Sequence, residues 1–143
     1  MSLPLSGKVA IVTGSSRSIG AAIVVHLASK GANVVINYIS STSAAQSVAD
    51  GINAKDAGKA IIIKADVSTV AGNKMLVEET LKQFGRIDIV VLNAGMMENK
   101  LLTDVTEELF DRHFNTNVKG PLFLVQSAAP YMQSGARRSA HRM

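Results

Sequence analysis

The 143-residue chain is 47% hydrophobic and 18% charged, which is typical of one globular domain and excludes a wholly disordered chain. It has no cysteine, so disulfides, thiolate metal sites and cysteine nucleophiles are excluded. Much of the net charge of +4 comes from Arg137, Arg138 and Arg142, and a basic charge confined to that end favours no nucleic-acid partner. No apolar run is long enough to cross a bilayer, and the first residues lack a signal-peptide pattern. We therefore expect a cytoplasmic protein without a membrane partner.

Short β-branched runs alternate with longer amphipathic segments up to about residue 93. This alternation predicts βαβ units and a parallel sheet. The predicted strands are 9–13, 33–36, 60–64 and 87–92, and no further strand is expected. The arginine-containing end lacks apolar periodicity, which predicts one domain at 1–135 and a basic, disordered tail at 136–143.

Apolar residues between these strands recur every three or four positions, as on one face of a helix. Three such faces are predicted, formed by Ile19, Ile23 and Leu27, by Ala44, Val48 and Ile52, and by Val77, Leu81 and Phe84. Gly31 and Gly85 follow the first and third helix, where a left-handed residue is favoured. Thr106 is expected to cap a further helix through Asn117, and a second apolar segment follows at 122–132.

The segment Thr13-Gly14-Ser15-Ser16-Arg17-Ser18-Ile19-Gly20 joins the first predicted strand to the first helix. Unpaired backbone N–H groups at such a helix start favour an anion. Gly14 permits a tight turn and Gly20 a close approach of helix to sheet, as in dinucleotide sites. Ser16 and Ser18 stand where glycines are usual, and no Gly-Lys-Ser/Thr follows, which excludes a P-loop kinase or ATPase.

Three further motifs accompany this loop: Asp66-Val67, Asn93-Ala94-Gly95 and Asn117-Val118-Lys119-Gly120. In order and approximate spacing, the four motifs resemble those of the short-chain dehydrogenase/reductase family. The stretch at 37–41 resembles that of fungal-type NADP-dependent carbonyl and naphthol reductases. The resemblance implies an α/β fold, namely the cofactor-binding N-terminal half of a Rossmann-type, doubly wound parallel sheet, incomplete in this chain.

The resemblance also implies a nicotinamide dinucleotide. NADP(H) is favoured over NAD(H), because Tyr38 stands where NAD sites carry a carboxylate, while Arg17, Ser40 and Ser41 offer groups for a 2′-phosphate. A purely structural interpretation makes Arg17 a solvated loop residue and Ser40-Ser41 a helix cap. By motif and charge, the residues assigned to the cofactor are Gly14, Ser16, Arg17, Ser18, Ile19, Gly20, Tyr38, Ser40, Ser41, Asp66, Val67, Asn93, Ala94 and Gly95.

Family membership would imply reversible ketone reduction by a Ser…Tyr-x-x-x-Lys set and an asparagine. Asn117 matches the asparagine, although a helix-interior amide bonded to backbone is an alternative role. Tyr38 and Tyr131 have no lysine four residues later. We therefore expect a truncated, catalytically defective NADP(H)-dependent oxidoreductase of a small carbonyl or alcohol. The alternative is a non-catalytic dinucleotide-binding or interaction module that pairs with a full-length relative.

Truncation predicts an open edge on the fourth strand and an exposed apolar patch. In the family the long helix contributes to a dimer interface, so a homo-oligomer through the helix around Asn117 to Met132 is one expectation, and a poorly folded chain is the alternative. His26, His113 and His141 lack metal-ligand spacing, and no metal site is expected.

Overall fold

A parallel five-stranded sheet with helices on both faces forms the fold in a computed structural model, which describes residues 2–132 and the backbone of 137–140. The strands are β1 (Val9–Val12), β2 (Asn33–Tyr38), β3 (Ala60–Lys64), β4 (Ile89–Leu92) and β5 (Arg137–Ala140). Their order is β3-β2-β1-β4-β5. Strands are therefore added in one direction up to β3 and in the other from β4 on, so a crevice opens at the carboxyl ends of β1 and β4.

Helices alternate with these strands along the described part of the chain, as the sequence pattern predicts. They are α1 (Ser18–Ser29), α2 (Thr42–Asn53), α3 (Val70–Phe84), α4 (Glu107–Phe114) and α5 (Gly120–Ala128). A π-helical turn at Asn115–Lys119 joins α4 to α5, and 3-10 turns lie at Leu102–Asp104 and Ala129–Tyr131. No helix within the described residues has both the length and the apolar composition needed to cross a bilayer.

The hydrophobic core has two layers, one on each face of the sheet. Successive residues of a strand point to opposite faces, so Val12 packs in the layer beneath α1 and α2, while Ile11 packs beneath α3 and α5. Both side chains are fully buried. Burial on both faces explains why the strands are continuous apolar runs.

The predicted apolar face of α1 is displaced by one position, and that of α2 is displaced in its first two residues but correct at Ile52. In α1 the buried residues are Gly20, Val24 and Ala28, whereas Ile19 is 56% exposed. In α2 they are Ala45, Ala49 and Ile52, and Val48 lies at the margin. Small residues on the line of contact let each helix approach the sheet closely, and the larger side chains then cover the flanks. The predicted apolar face of α3 agrees better with the structure, since Val77 is buried and Leu81 and Phe84 pack against the core.

The predicted ends of α1 and α3 and the predicted start of α4 are confirmed, whereas the helix expected to end at Asn117 continues through the π-helical turn into α5. Gly31 and Gly85 have φ of 96° and 75°, the left-handed conformation that ends α1 and α3. The Thr106 hydroxyl accepts the backbone N–H of Leu109 at 3.1 Å and caps α4.

The prediction that no strand follows β4 is wrong. β5 pairs in parallel with β4, with Arg137 opposite Ile89 and Ala140 opposite Leu92. The expected open edge of β4 is therefore covered, and 137–140 of the predicted disordered tail lie in the sheet; 136 and 141–143 fall outside the described residues. The prediction relied on apolar periodicity, but an edge strand is selected by unpaired backbone groups on its neighbour and needs no apolar pattern.

A charged group lies at the amino-terminal ends of β1 and β4, on the side of the sheet opposite the carboxyl ends. The Asp88 carboxylate accepts the Val9 N–H at 2.9 Å and pairs with the Arg86 guanidinium at 2.7 and 2.8 Å. Burial acts to raise the pKa of Asp88, but the bonds from Arg86 and Val9 and the charges of Arg86 and Lys8 together lower it. The ionised carboxylate therefore favours the folded state.

Candidate nucleotide-binding site

A cleft of about 480 Å³ lies at the carboxyl ends of β1 to β4. Loops that leave all four strands line it, through Gly14, Ser16, Arg17, Tyr38, Ile39, Ser40, Asp66, Val67, Ser68, Asn93, Ala94, Gly95, Met96 and Thr116. The parallel sheet brings together motifs that are distant in sequence, because it places every carboxyl end at one edge. Most residues assigned to the cofactor line this cleft, whereas Ser18, Ile19, Gly20 and Ser41 do not, and the candidate catalytic Asn117 does not line it either.

The turn after β1 requires glycine at its second residue. Gly14 has φ of 60°, and a Cβ built on it would lie 3.2 Å from both the Cα and Cβ of Ala94. The loop after β1 therefore packs directly on the loop after β4. This contact exposes backbone, with no intervening side chain, to the cleft.

Hydrogen bonds join these same two loops. The Thr13 hydroxyl accepts the backbone N–H groups of Asn93 and Ala94 at 3.0 and 2.9 Å. In return, the Asn93 amide donates to the carbonyl oxygens of Thr13 and Gly14 at 3.0 and 3.1 Å. Asn93 thus acts here as a brace between loops.

A buried asparagine holds the other side of the turn. Asn37, 1% exposed in β2, accepts the Gly14 N–H through Oδ1 at 3.1 Å and donates through Nδ2 to the Ala65 carbonyl at 3.1 Å. Its backbone N–H donates to the Ser15 hydroxyl at 3.1 Å, and that hydroxyl donates to the Val12 carbonyl at 2.7 Å. The turn is therefore fixed to β1, β2 and the end of β3.

Ser18 occupies a strained position at the start of α1. Its φ is 52°, in the left-handed region that L-residues other than glycine rarely adopt. The side chain is exposed, and it does not line the cleft. The departure from the glycine pattern therefore acts through backbone conformation, with no crowding of the cleft itself.

The start of α1 lacks a side-chain cap. Ser41, Thr69 and Thr106 cap α2, α3 and α4 with their hydroxyl oxygens, whereas Arg17, at the corresponding position of α1, makes no side-chain cap bond. No acidic residue lies in the first turn of α1. The backbone N–H groups and the positive dipole end of α1 are thus available to an anion.

Polar groups at the end of β2 differ in their exposure. Arg17 and Ser40 are exposed and line the cleft. Tyr38 is 8% exposed, and its hydroxyl accepts a bond from the Thr42 hydroxyl at 3.3 Å. Ser41 accepts the Ala44 N–H at 3.3 Å and caps α2, so for Ser41 the structural interpretation is the one observed.

Asp66 supplies the carboxylate of the cleft wall. Its Oδ1 accepts the backbone N–H of Ser68 at 3.0 Å and the Ser68 hydroxyl at 2.6 Å. This local turn orients the carboxylate at the end of β3, one strand further from β1 than Tyr38. Gly72 packs against the Asp66 carbonyl, so the helix start is held close to this turn.

Asn117 bonds to the segment after β4 and not to its own helix. Its Oδ1 accepts the Met96 N–H at 2.9 Å, and its Nδ2 donates to the Met96 carbonyl at 2.8 Å. The π-helical turn that contains Asn117 brings it to this segment. Asn117 therefore holds a wall of the cleft.

A family model described as short chain dehydrogenase matches residues 8–140. The chain belongs to the short-chain dehydrogenase family. Among curated proteins, a probable tetrahydroxynaphthalene reductase of Zymoseptoria tritici is 44% identical over 133 residues, which are 93% of this chain and 49% of that protein. Elsinochrome reductase 1 of Elsinoe fawcettii is 47% identical over 133 residues, again 93% and 49% of the two chains.

Solved structures of short-chain dehydrogenases share the fold. One from Burkholderia cenocepacia in complex with NADP is 40% identical, with a TM-score of 0.91 over 95% of this chain and 55% of that chain. The present chain thus spans about half the length of the relatives it matches. The family match supports the Rossmann-type fold and the resemblance to fungal naphthol reductases.

Sequence reasoning missed several residues of the site. Ile39, Ser68, Met96 and Thr116 line the cleft without having been assigned to it. Ser68 was recognisable, because a serine two residues after an aspartate favours a local turn. Asn37 also left a signal, since an asparagine inside a buried apolar strand needs internal hydrogen-bond partners.

Proposed function

We propose that the cleft binds NADP(H) and that the chain provides the nucleotide-binding half of a reductase of small carbonyl compounds. The observation that supports this most directly is the start of α1, which has no side-chain cap and follows a turn whose Gly14 lines the cleft. Such a helix start suits a pyrophosphate, which accepts backbone N–H bonds and is stabilised by the helix dipole. When bound, the nicotinamide would supply a hydride to a carbonyl carbon.

Charge supports NADP(H) over NAD(H). The exposed Arg17 guanidinium and Ser40 hydroxyl lie on the cleft wall, where a cation and a donor suit a 2′-phosphate. Buried Tyr38 stands at the end of β2, where an NAD site would carry a ribose-binding carboxylate. The family relative from Burkholderia cenocepacia was solved with NADP.

Calorimetric titration of the full chain with NADPH and with NADH tests the proposal. NADPH is expected to bind more tightly, and Arg17→Ala to weaken NADPH about tenfold with little effect on NADH, because NADH lacks the 2′-phosphate. Arg112→Ala removes an exposed arginine that does not line the cleft and serves as the matched control. Absence of NADPH binding to a folded chain would refute the proposal.

A ketone-reduction assay on the same sample separates binding from turnover. We expect bound nucleotide without measurable turnover, because neither Tyr38 nor Tyr131 is followed by a lysine four residues later. Turnover by the chain alone would show that another group donates the proton.

We further propose that a second copy of the chain covers an exposed apolar stripe on α4 and α5. Phe110, Phe114, Val118 and Leu122 are 52%, 50%, 55% and 62% exposed and recur every four residues. The rings of Phe110 and Phe114 stack at 4.3 Å. Sedimentation analysis is expected to show a dimer that Phe114→Glu dissociates and that Met75→Glu, on exposed α3 surface, does not. A wild-type monomer at high concentration would refute this.

A further inference from the structure

The segment 95–100 leaves the wall of the cleft, which Gly95 and Met96 line, and two side chains from α4 and the π-helical turn after it hold this segment. Asn117 bonds to both backbone groups of Met96. Two residues further on, the Glu98 backbone N–H donates to Nε2 of His113 at 3.0 Å. Residues four apart share a helix face, and residues two apart share one side of an extended segment. The two attachments therefore lie side by side.

Both ring nitrogens of His113 are engaged. Nδ1 lies 2.8 Å from the Leu109 carbonyl oxygen. Because Nε2 accepts the hydrogen of Glu98 N–H, the neutral ring carries its own hydrogen on Nδ1 and donates it to Leu109. Protonation would place a second hydrogen on Nε2, pointing at the Glu98 N–H. Two donors would then face each other, so this attachment needs the neutral ring.

Charged groups adjoin the ring on the attached segment and on the helix. On the attached segment, Glu98 and Lys100 form an ion pair at 3.5 Å. On the helix, the neighbours three and four positions away are Leu109, Phe110, Thr116 and Asn117, which are uncharged, and Arg112 adjoins the ring in sequence. The Glu98 carboxylate pairs with Lys100, and His113 Nε2 bonds to the backbone N–H of Glu98.

We propose that His113 is a positioning residue for the segment that continues from the cleft wall, and that its protonation releases Glu98 and, through Met96 two residues before it, weakens nucleotide binding as the pH falls. Histidine is the side chain whose charge ordinarily changes between about pH 5 and 8. The effect on nucleotide affinity rests on the proposed function above. The effect on the Glu98 hydrogen bond does not, and it is measured separately.

Amide hydrogen exchange of Glu98, followed by NMR on the full chain, tests the attachment. The readout is the protection factor, which corrects for the intrinsic pH dependence of exchange. In the wild type it is expected to fall roughly fivefold to tenfold from about pH 8 to about pH 5.5, as one hydrogen bond is lost. His113→Leu is expected to show the low value at both pH values, because leucine has no acceptor.

His113→Gln provides the conservative control, since its amide oxygen accepts a hydrogen bond and does not titrate in this range. Protection of Glu98 in His113→Gln is expected to be independent of pH, and His26→Gln, on exposed α1, is expected to behave as the wild type. A wild-type protection factor that does not change with pH, or an unchanged one in His113→Leu, would overturn the proposal.

Titration with NADP⁺ at the same two pH values tests the consequence. The 2′-phosphate itself titrates, so the informative quantity is the difference between wild type and His113→Gln. The wild type is expected to lose several-fold more affinity at the lower pH, and an equal loss in the two proteins would overturn the link to binding. If no variant binds nucleotide, the proposed function fails, while the Glu98 exchange pattern still decides the role of His113.

Discussion

Asn37 Oδ1 accepts the backbone N–H of Gly14 at 3.1 Å, so a side chain of β2 holds the turn that leaves β1. The same amide donates to the Ala65 carbonyl at the end of β3. Asn37→Ala is expected to lower the free energy of unfolding by about 2–4 kcal/mol, because it leaves buried groups without partners. Urea denaturation measures the change. Asn99→Ala, at an exposed position, is the control, and an equal effect of both variants would contradict this role.

Ser18→Gly is expected to stabilise the fold. The φ of 52° costs serine more than glycine, and the gain is partly offset by the greater chain entropy of glycine, leaving about 0.5–1 kcal/mol. Ser16→Gly is the matched control, since Ser16 is not in the left-handed region and its change is expected to destabilise. Thermal unfolding of the two variants compares them, and a loss of stability in Ser18→Gly would show that its backbone is not strained.

Gly20→Ala and Gly51→Ala are expected to have opposite effects. A Cβ on Gly20 would lie 2.7 Å from Asn93 Nδ2 and 2.8 Å from the Ser15 Cα, so we expect a loss of about 1–3 kcal/mol. A Cβ on Gly51 meets nothing within 4 Å, and its helical position predicts a gain of about 0.5–1 kcal/mol. Denaturant titration measures the free energy of unfolding of both variants. Equal changes in Gly20→Ala and Gly51→Ala would argue against a close approach at Gly20.

Asp88 is expected to make stability depend on acid pH. Burial opposes its ionisation, but Arg86, Val9 and Lys8 lower its pKa, so its contribution is present above the unfolded-state pKa of about 4 and is lost as the pH falls through the lower folded-state value. Asp88→Asn should reduce the free energy of unfolding at neutral pH and make that free energy depend less on pH in the acid range. Unfolding measured across the acid range checks this. If the variant shows the same pH dependence of unfolding in the acid range as the wild type, other carboxylates control that dependence.

The sequence allowed the sheet and the position of the cleft to be predicted, because apolar runs mark buried strands and motifs at strand ends must meet at one edge. Gly14 was assigned from the turn between the first strand and helix, and Asp66 and Asn93 from their match to the family motifs. The partners of Asn37 and Asn117 were not, since both depend on distances between elements that no local pattern encodes. The strand Arg137–Ala140 was missed for a different reason. An edge strand can pair through its backbone alone, so its sequence need not show an apolar pattern.

The bonds that Thr13 and Asn93 exchange have a consequence for the thermodynamics of binding. Four hydrogen bonds join the loops after β1 and β4 without any contribution from a ligand. A ligand that binds in the cleft against these loops meets a preorganised surface, so little conformational entropy is lost in ordering that surface. The affinity of the cleft therefore depends mainly on the contacts it offers, and substitutions that loosen this brace should weaken ligands of every kind alike.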